Sequence, residues 1–161
     1  MQVGPLLPSL PCRMVEKGTS HMIDIDTSTD FGQRVTRHLE DDQVVWLSTI
    51  GENQTPQPSP VWFLWDGESA LIYSQPTAPK LRNITATPRA SLNFNCTVNG
   101  GDVVILTGDA WIEADAPAAN NVPSYVEKYL EGIKSIGMTV DEFAAAYSVA
   151  LRVRPTSLRG H

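Results

Sequence analysis

The sequence predicts a mainly β fold, with six or seven antiparallel strands forming a barrel or a sandwich and a few short helices beside them. Three observations predict it. Short runs rich in β-branched and aromatic residues recur along the chain, as in Val44–Ile50 and Ala70–Ser74. Hairpin signals such as Gly51-Glu52-Asn53, Asp66-Gly67 and Asn99-Gly100-Gly101 separate them. Helical periodicity is confined to short stretches, so a doubly wound parallel sheet does not fit.

The elements follow in order. Phe31, Val35 and Leu39 recur at every fourth position behind Ser28 and Thr29, which predicts a capped helix over 30–41. Val44–Ile50 reads as the first strand. Residues 55–65 read as the second, with proline at every second position up to 60. Proline donates no ladder hydrogen bond, so that half belongs at a sheet edge or a bulge. Ala70–Ser74 is the third strand. Pro79 suits the first position of a short helix that buries Leu81 and Ile84, with Lys80, Arg82 and Asn83 nearer its rim.

Residues 90–96 alternate as a strand with Leu92, Phe94 and Cys96 on one face. Residues 103–107 and 110–114 read as two strands joined at Gly108-Asp109. A loop over 115–122 leads to a helix over 123–133 with Val126, Tyr129, Leu130 and Ile133 inward. Thr139-x-x-Glu142 is a capping box for another short helix. Residues 148–154 close the chain as an alternating strand.

Length and composition bound the answer. A chain of 161 residues that is 42% hydrophobic and 19% charged suits one folded domain. Residues 1–21 are set apart as a cloning leader or disordered extension, because Gly18-Thr19-Ser20-His21-Met22 resembles a cloning scar. The domain then spans 22–161. Twelve basic side chains stand against 18 acidic ones, which argues against nucleic acid as a partner. No apolar run approaches the length of a membrane span, about 18 residues, and no signal peptide is evident, so the expected location is the cytoplasm.

Few residues announce chemistry. Cys12 and Cys96 do not make a CxxC pair, and Cys96 reads as a structural thiol at a strand end. His21 and His161 fall at ends read as disordered, and His38 falls on the first helix. No metal-ligand spacing, GxSxG elbow, Walker loop or GxGxxG occurs, so no metal is expected. Such a chain, if an enzyme, borrows its chemistry from a cofactor.

Two local signals stand out. Lys80-Leu81-Arg82-Asn83 gathers two cations and an amide at the start of a helix, which suits a phosphate. As a solvated helix face the same residues would need no ligand. Ser59-Pro60-Val61-Trp62-Phe63 sets large aromatics beside proline-freed backbone, which could wall a flat ring or simply fill a core.

Taken in order, these segments resemble the pyridoxamine 5′-phosphate oxidase-like superfamily. The resemblance rests on Trp46 to Ile50, Gln57-Pro58-Ser59-Pro60-Val61-Trp62-Phe63, Leu71-Ile72-Tyr73-Ser74, Lys80-Leu81-Arg82-Asn83 and Thr87-Pro88-Arg89-Ala90. It covers about residues 29–154 and is strongest toward the flavin and deazaflavin (F420) oxidoreductases of actinobacterial type. It implies a six- to seven-stranded antiparallel split β-barrel, working as a homodimer with cofactor sites at the interface.

The resemblance further implies that Lys80 and Arg82, with Asn83 beside them, hold the cofactor phosphate. A flavin-type ring would lie against Ser59, Pro60, Val61 and Trp62, near Tyr73 and Ser74. Trp111 and the loop 115–122 are candidates for completing the partner's site. Arg89, Lys128 and Lys134 could extend a basic patch toward coenzyme F420, whose tail carries more negative charge than FMN. The implied reaction is hydride transfer from reduced deazaflavin to a small conjugated acceptor, with Tyr73 or solvent giving the proton. An FMN-dependent reductase or oxidase is the alternative, as is a non-catalytic flavin or haem binder. True pyridoxamine phosphate oxidases end in an Arg-rich signature. This chain ends Arg152-Val153-Arg154-Pro155-Thr156-Ser157-Leu158-Arg159-Gly160-His161 and lacks the rest of it, so the resemblance does not carry that oxidation over.

Overall fold

A computed structural model describes residues 23–161. The expected leader, with Cys12 and His21, lies outside the described residues. Seven strands form one antiparallel sheet: β1 (Val44–Ile50), β2 (Pro56–Trp62), β3 (Leu64–Trp65), β4 (Ala70–Ser74), β5 (Arg89–Asn93), β6 (Val104–Ile112) and β7 (Val149–Gly160). Helices α1 (Asp30–Asp41), α2 (Pro79–Ala86), α3 (Pro123–Ser135) and α4 (Val140–Ala146) pack on it. No described helix is long and apolar enough to cross a membrane.

The sheet order is β2-β1-β5-β6-β7-β4-β3. Strands β2 and β3 are neighbours in the chain yet occupy opposite edges, so the sheet curls until the chain steps across at Phe63. This is a split barrel, and Phe63 is its seam. The side chain of Phe63 is fully buried in the core. Its backbone has no sheet neighbour and turns to α3 instead. The Tyr129 hydroxyl accepts from Phe63 N–H (2.8 Å) and lies 2.7 Å from the Phe63 and Gln43 carbonyls, one of which takes its proton.

Proline shapes the β2 edge as expected. Pro56, Pro58 and Pro60 stand opposite Ile50, Ser48 and Trp46. They alternate with Gln57, Ser59 and Val61, which are free to bond β1. The outer edge therefore lacks N–H donors at every proline, which blocks further strand pairing.

Interior positions follow the two-residue period. Leu47, Ile72, Leu92, Leu106 and Leu151 are fully buried in the barrel, joined by Val35 and Leu39 from α1 and Ile84 from α2. Each such side chain contributes about 1.5–3 kcal/mol relative to exposure. Strand β4 is buried on both faces: Ala70 and Ile72 point inward, and Leu71 and Tyr73 outward beneath α3 and α4.

The capping features also stand. Thr29 accepts from Gly32 N–H (3.0 Å) at the start of α1. Thr139 and Glu142 form the reciprocal box of α4.

Several expectations are corrected. Residues 104–112 are one strand, not a hairpin turning at Gly108-Asp109. Gly108 is there for close approach: a Cβ on it would stand 1.9 Å from the Arg154 carbonyl oxygen. The irregularity falls across from it, where Thr107 pairs with Ser157 and Gly108 with Pro155, leaving Thr156 as the extra residue of a bulge. Strand β7 does not stop near 154 but runs on beside β6. His161 is not disordered, since it exchanges backbone hydrogen bonds with Val103 (3.0 and 3.1 Å). Strand β5 ends at Asn93, and Cys96 is an exposed loop thiol rather than a strand-end core residue. On α3 the buried stripe is Tyr125, Tyr129 and Ile133, with Val126 and Leu130 only half-buried.

Candidate functional site

Outside the barrel seam, the ends of β2 and β4 meet α2, α3 and α4. A cleft of about 340 Å³ lies there. Its strand wall is Pro60, Val61 and Trp62 from β2, facing Tyr73, Ser74 and Gln75 from the end of β4. Ala78 and Lys80 of the α2 entry close one end. Tyr125, Ile136, Phe143 and Tyr147 form the helical wall.

Trp62 is held by stacking. Its ring lies 4.8 Å from that of Tyr129 at 7° and 5.5 Å from that of Phe143 at 25°. The fit is close at Gly132, where a Cβ would stand 3.0 Å from the indole, tighter than most such contacts. A flat, rigid aromatic surface thus borders the cleft at low entropy cost to a ligand that stacks on it.

Lys80 is the cation of the cleft. Burial pulls its ammonium below the ordinary lysine range. No carboxylate lies within ion-pair distance of it among the described residues. A partly desolvated charge without a partner is destabilising alone and favours an anion beside it.

The other expected phosphate residues are placed differently. Arg82 is exposed, lies outside the cleft lining and approaches Glu52 at 3.4 Å. Asn83 is not at the rim but buried, because its amide donates to Thr49 Oγ1 (3.0 Å) and Gln57 Oε1 (2.8 Å). It ties α2 to β1 and β2. Ser59 sits in β2 opposite Leu47 and does not line the cleft. Arg89 pairs with Asp109 and Lys134 with Glu131, each at 2.8 Å, and Lys128 stands 4.2 Å over the Phe63 ring. These cations do not extend the patch around Lys80. Trp111 packs against Arg154 (5.6 Å), and neither it nor 115–122 lines the cleft.

The two wall residues of β4 are hydrogen-bonded. Tyr73 donates to the Pro117 carbonyl (2.8 Å), and burial raises its phenol above the ordinary range. Ser74 donates to the Gln75 carbonyl (3.3 Å). Neither proton points freely at a ligand.

Tyr125 differs. It is fully buried, ringed by Tyr73 (4.9 Å), Tyr129 (4.7 Å) and Phe143 (6.2 Å). Its hydroxyl has no hydrogen-bond partner among the described residues. Leaving such a group unmade costs about 1–3 kcal/mol.

Sequence reasoning missed this helical wall. The signal was present as aromatic pairs spaced by four, Tyr125 with Tyr129 and Phe143 with Tyr147. Their assembly over β4 is tertiary. Among the described residues, no group of three His, Cys, Asp or Glu could hold a metal ion. His38 is buried elsewhere, between Asp42 (2.7 Å) and Asp102 (3.2 Å).

Comparison with known proteins agrees on the architecture. A family model described as pyridoxamine 5′-phosphate oxidase matches residues 31–161. A conserved hypothetical protein of Mycobacterium tuberculosis is 19% identical with a TM-score of 0.61, over 89% of this chain and 88% of that one. An F420 reductase is 24% identical with a TM-score of 0.52, over 76% and 94%. HutZ, the heme storage protein of Vibrio cholerae, is 14% identical with a TM-score of 0.56, over 82% and 95%. At these identities the likeness is one of fold. No curated protein matches the chain.

Proposed function

The chain belongs to the pyridoxamine 5′-phosphate oxidase family, and we propose that it is an oxidoreductase working on a phosphorylated flavin-type ring held in the cleft beside Lys80. The single observation that carries this is Lys80, a half-buried cation without a carboxylate partner, at one end of a cleft walled by Trp62. An anionic group on the ligand compensates the charge, and the ring lies against Pro60, Val61 and Trp62. When bound, such a ring supplies hydride transfer to a small conjugated acceptor. The protein contributes positioning and exclusion of water. Because the Tyr73 proton is engaged with Pro117, solvent is the proton source in this reading.

We assign the ring first to the deazaflavin F420, supported by the F420 reductase among the proteins sharing this fold. FMN is the second reading, and one observation favours it: among the described residues Lys80 is the only basic one in the cleft lining, which matches a single phosphate better than a longer anionic tail. The heme storage protein among the fold relatives keeps a non-catalytic carrier in view, but among the described residues no His, Cys or Met lines this cleft. The working unit in this proposal is a homodimer in the cytoplasm; Trp46 and Ile112, exposed on the sheet, are apolar surface that a second copy would cover.

Titration with F420 and with FMN, read by tryptophan quenching, tests the reading. Saturable binding that weakens about tenfold or more in Lys80→Ala supports it. Binding of neither cofactor, or equal affinity in the variant, overturns it.

A further inference from the structure

Two turns place an acid or an amide directly before a glycine, Asp66-Gly67 and Asn99-Gly100. The glycines are alike: φ is 97° and 77°, and a Cβ on either would meet nothing within 4 Å. The residues before them are not. Asp66 is pinned, because its carboxylate accepts from Glu68 N–H (3.0 Å) and Ser69 N–H (2.8 Å) and pairs with Arg152. Asn99 is exposed, and its side chain makes no hydrogen bond among the described residues. It stands at the tip of the β5–β6 loop beside Val98, which is fully exposed.

An unpinned Asn-Gly pair carries chemistry of its own. The Gly100 nitrogen, giving its proton to solvent base, attacks the side-chain carbonyl carbon of Asn99. A new C–N bond forms, the bond to the side-chain nitrogen breaks, and ammonia leaves behind a cyclic succinimide. Water then opens the ring at one carbonyl or the other, leaving aspartate or isoaspartate, with nothing oxidised or reduced. Glycine leaves the attacking nitrogen uncrowded. The turn restrains it, since Gly100 N–H donates to the Thr97 carbonyl (2.9 Å). Thr97 also laces the neck of the loop. Its N–H donates to the Gly101 carbonyl (2.8 Å), and its hydroxyl accepts from Gly101 N–H (2.9 Å) and donates to the Gly101 carbonyl (3.1 Å). The nitrogen reaches Asn99 only when this lacing loosens.

We propose that Asn99 is a modification site, converted by water from amide to acid through the succinimide at a rate set by the Thr97 hydroxyl. The conversion adds a negative charge to a chain whose net charge is −6. It stays at the tip, because Asp102 at the base of the loop is tied to α1 by Arg34 (3.5 Å) and His38 (3.2 Å). Loop tips of this kind tolerate change without loss of the fold. The inference is independent of the cleft and of any ligand there.

The test incubates the full chain in warm, mildly alkaline buffer. Peptide mass mapping follows each asparagine and Asp66, and enzymatic methylation of isoaspartate counts the rearranged product. Asn99 should convert first, ahead of Asn53, Asn95 and Asn120, with isoaspartate appearing and Asp66 unchanged. Asn99→Gln should abolish the early signal. Thr97→Val keeps the branched shape and removes both hydroxyl bonds, so conversion should run about threefold to tenfold faster. Conversion of another asparagine or of Asp66 before Asn99 overturns the site. An unchanged or slower rate in Thr97→Val overturns the role of the hydroxyl. The wild-type map decides the first point whatever the variants do.

Discussion

The barrel interior and the aromatic layer outside it share strands β2, β4 and β7, but helices α3 and α4 supply most of the outer layer. The interior is mainly aliphatic, although Phe63 and Phe94 lie in it: the side chains of Leu47, Ile72, Leu92, Leu106 and Leu151 bring no polar atom to it. The outer layer is tyrosine-rich, with Trp62, Tyr73, Tyr125, Tyr129 and Phe143 in ring contact and each hydroxyl in a different situation. Strand β4 serves both, with Ile72 inward and Tyr73 outward. The difference teaches that stability and recognition are divided by face. Closely packed methyl groups hold one shape, and aromatic rings with polar ends leave surface for a ligand.

This division breaks if mutations on the two faces have similar effects. The largest loss of stability is expected from Leu106→Ala, about 2–5 kcal/mol from lost transfer energy and the cavity left behind, read by urea unfolding. Next is Gly108→Ala. The added methyl must displace the Arg154 carbonyl, so a loss of about 2 kcal/mol and a spectroscopic change in the β6–β7 pair are expected. If Gly108→Ala is silent, the close approach that defines this strand pair is wrong.

Tyr129→Phe sharpens the comparison, because it lies in the outer layer yet serves the seam. It strips the polar partner from the buried Phe63 backbone and should cost about 1–3 kcal/mol in thermal or urea unfolding. An unchanged midpoint would mean that the seam closes without this hydroxyl.

The smallest stability effect belongs to the cleft. Lys80→Met should change unfolding free energy by no more than about 0.5 kcal/mol, or raise it, while weakening anionic ligands. Its pH dependence has a definite sign. Burial lowers the Lys80 pKa in the folded chain, so between the folded and unfolded values the unfolded state binds more protons. Stability therefore rises with pH through that window. Affinity for an anionic ligand falls over the same alkaline range, as the ammonium loses its proton. Affinity titrations across that range should show the fall in wild type and not in Lys80→Met.

Helix α1, strand β1, strand β4 and the capping box of α4 were legible from local pattern, because period and cap chemistry are properties of neighbouring residues. The family resemblance likewise pointed to Pro60, Val61, Trp62, Tyr73, Ser74 and Lys80, which the fold gathers at one cleft. Gly108 misled because a glycine suits a turn and a close strand contact equally. Only the position of Arg154 across the ladder separates the two. Asn83 misled because a polar side chain beside two cations looks like rim. Its burial depends on Thr49 and Gln57, 34 and 26 residues distant.

The sequence by itself determined which segments alternate, where most of them turn and which family they resemble, since those signals act over a few residues. The tertiary structure alone decided the closure at Phe63, the stacking of Trp62 over Gly132 and the unpaired hydroxyl of Tyr125. Each depends on groups that meet only once strands far apart in the chain have found their register.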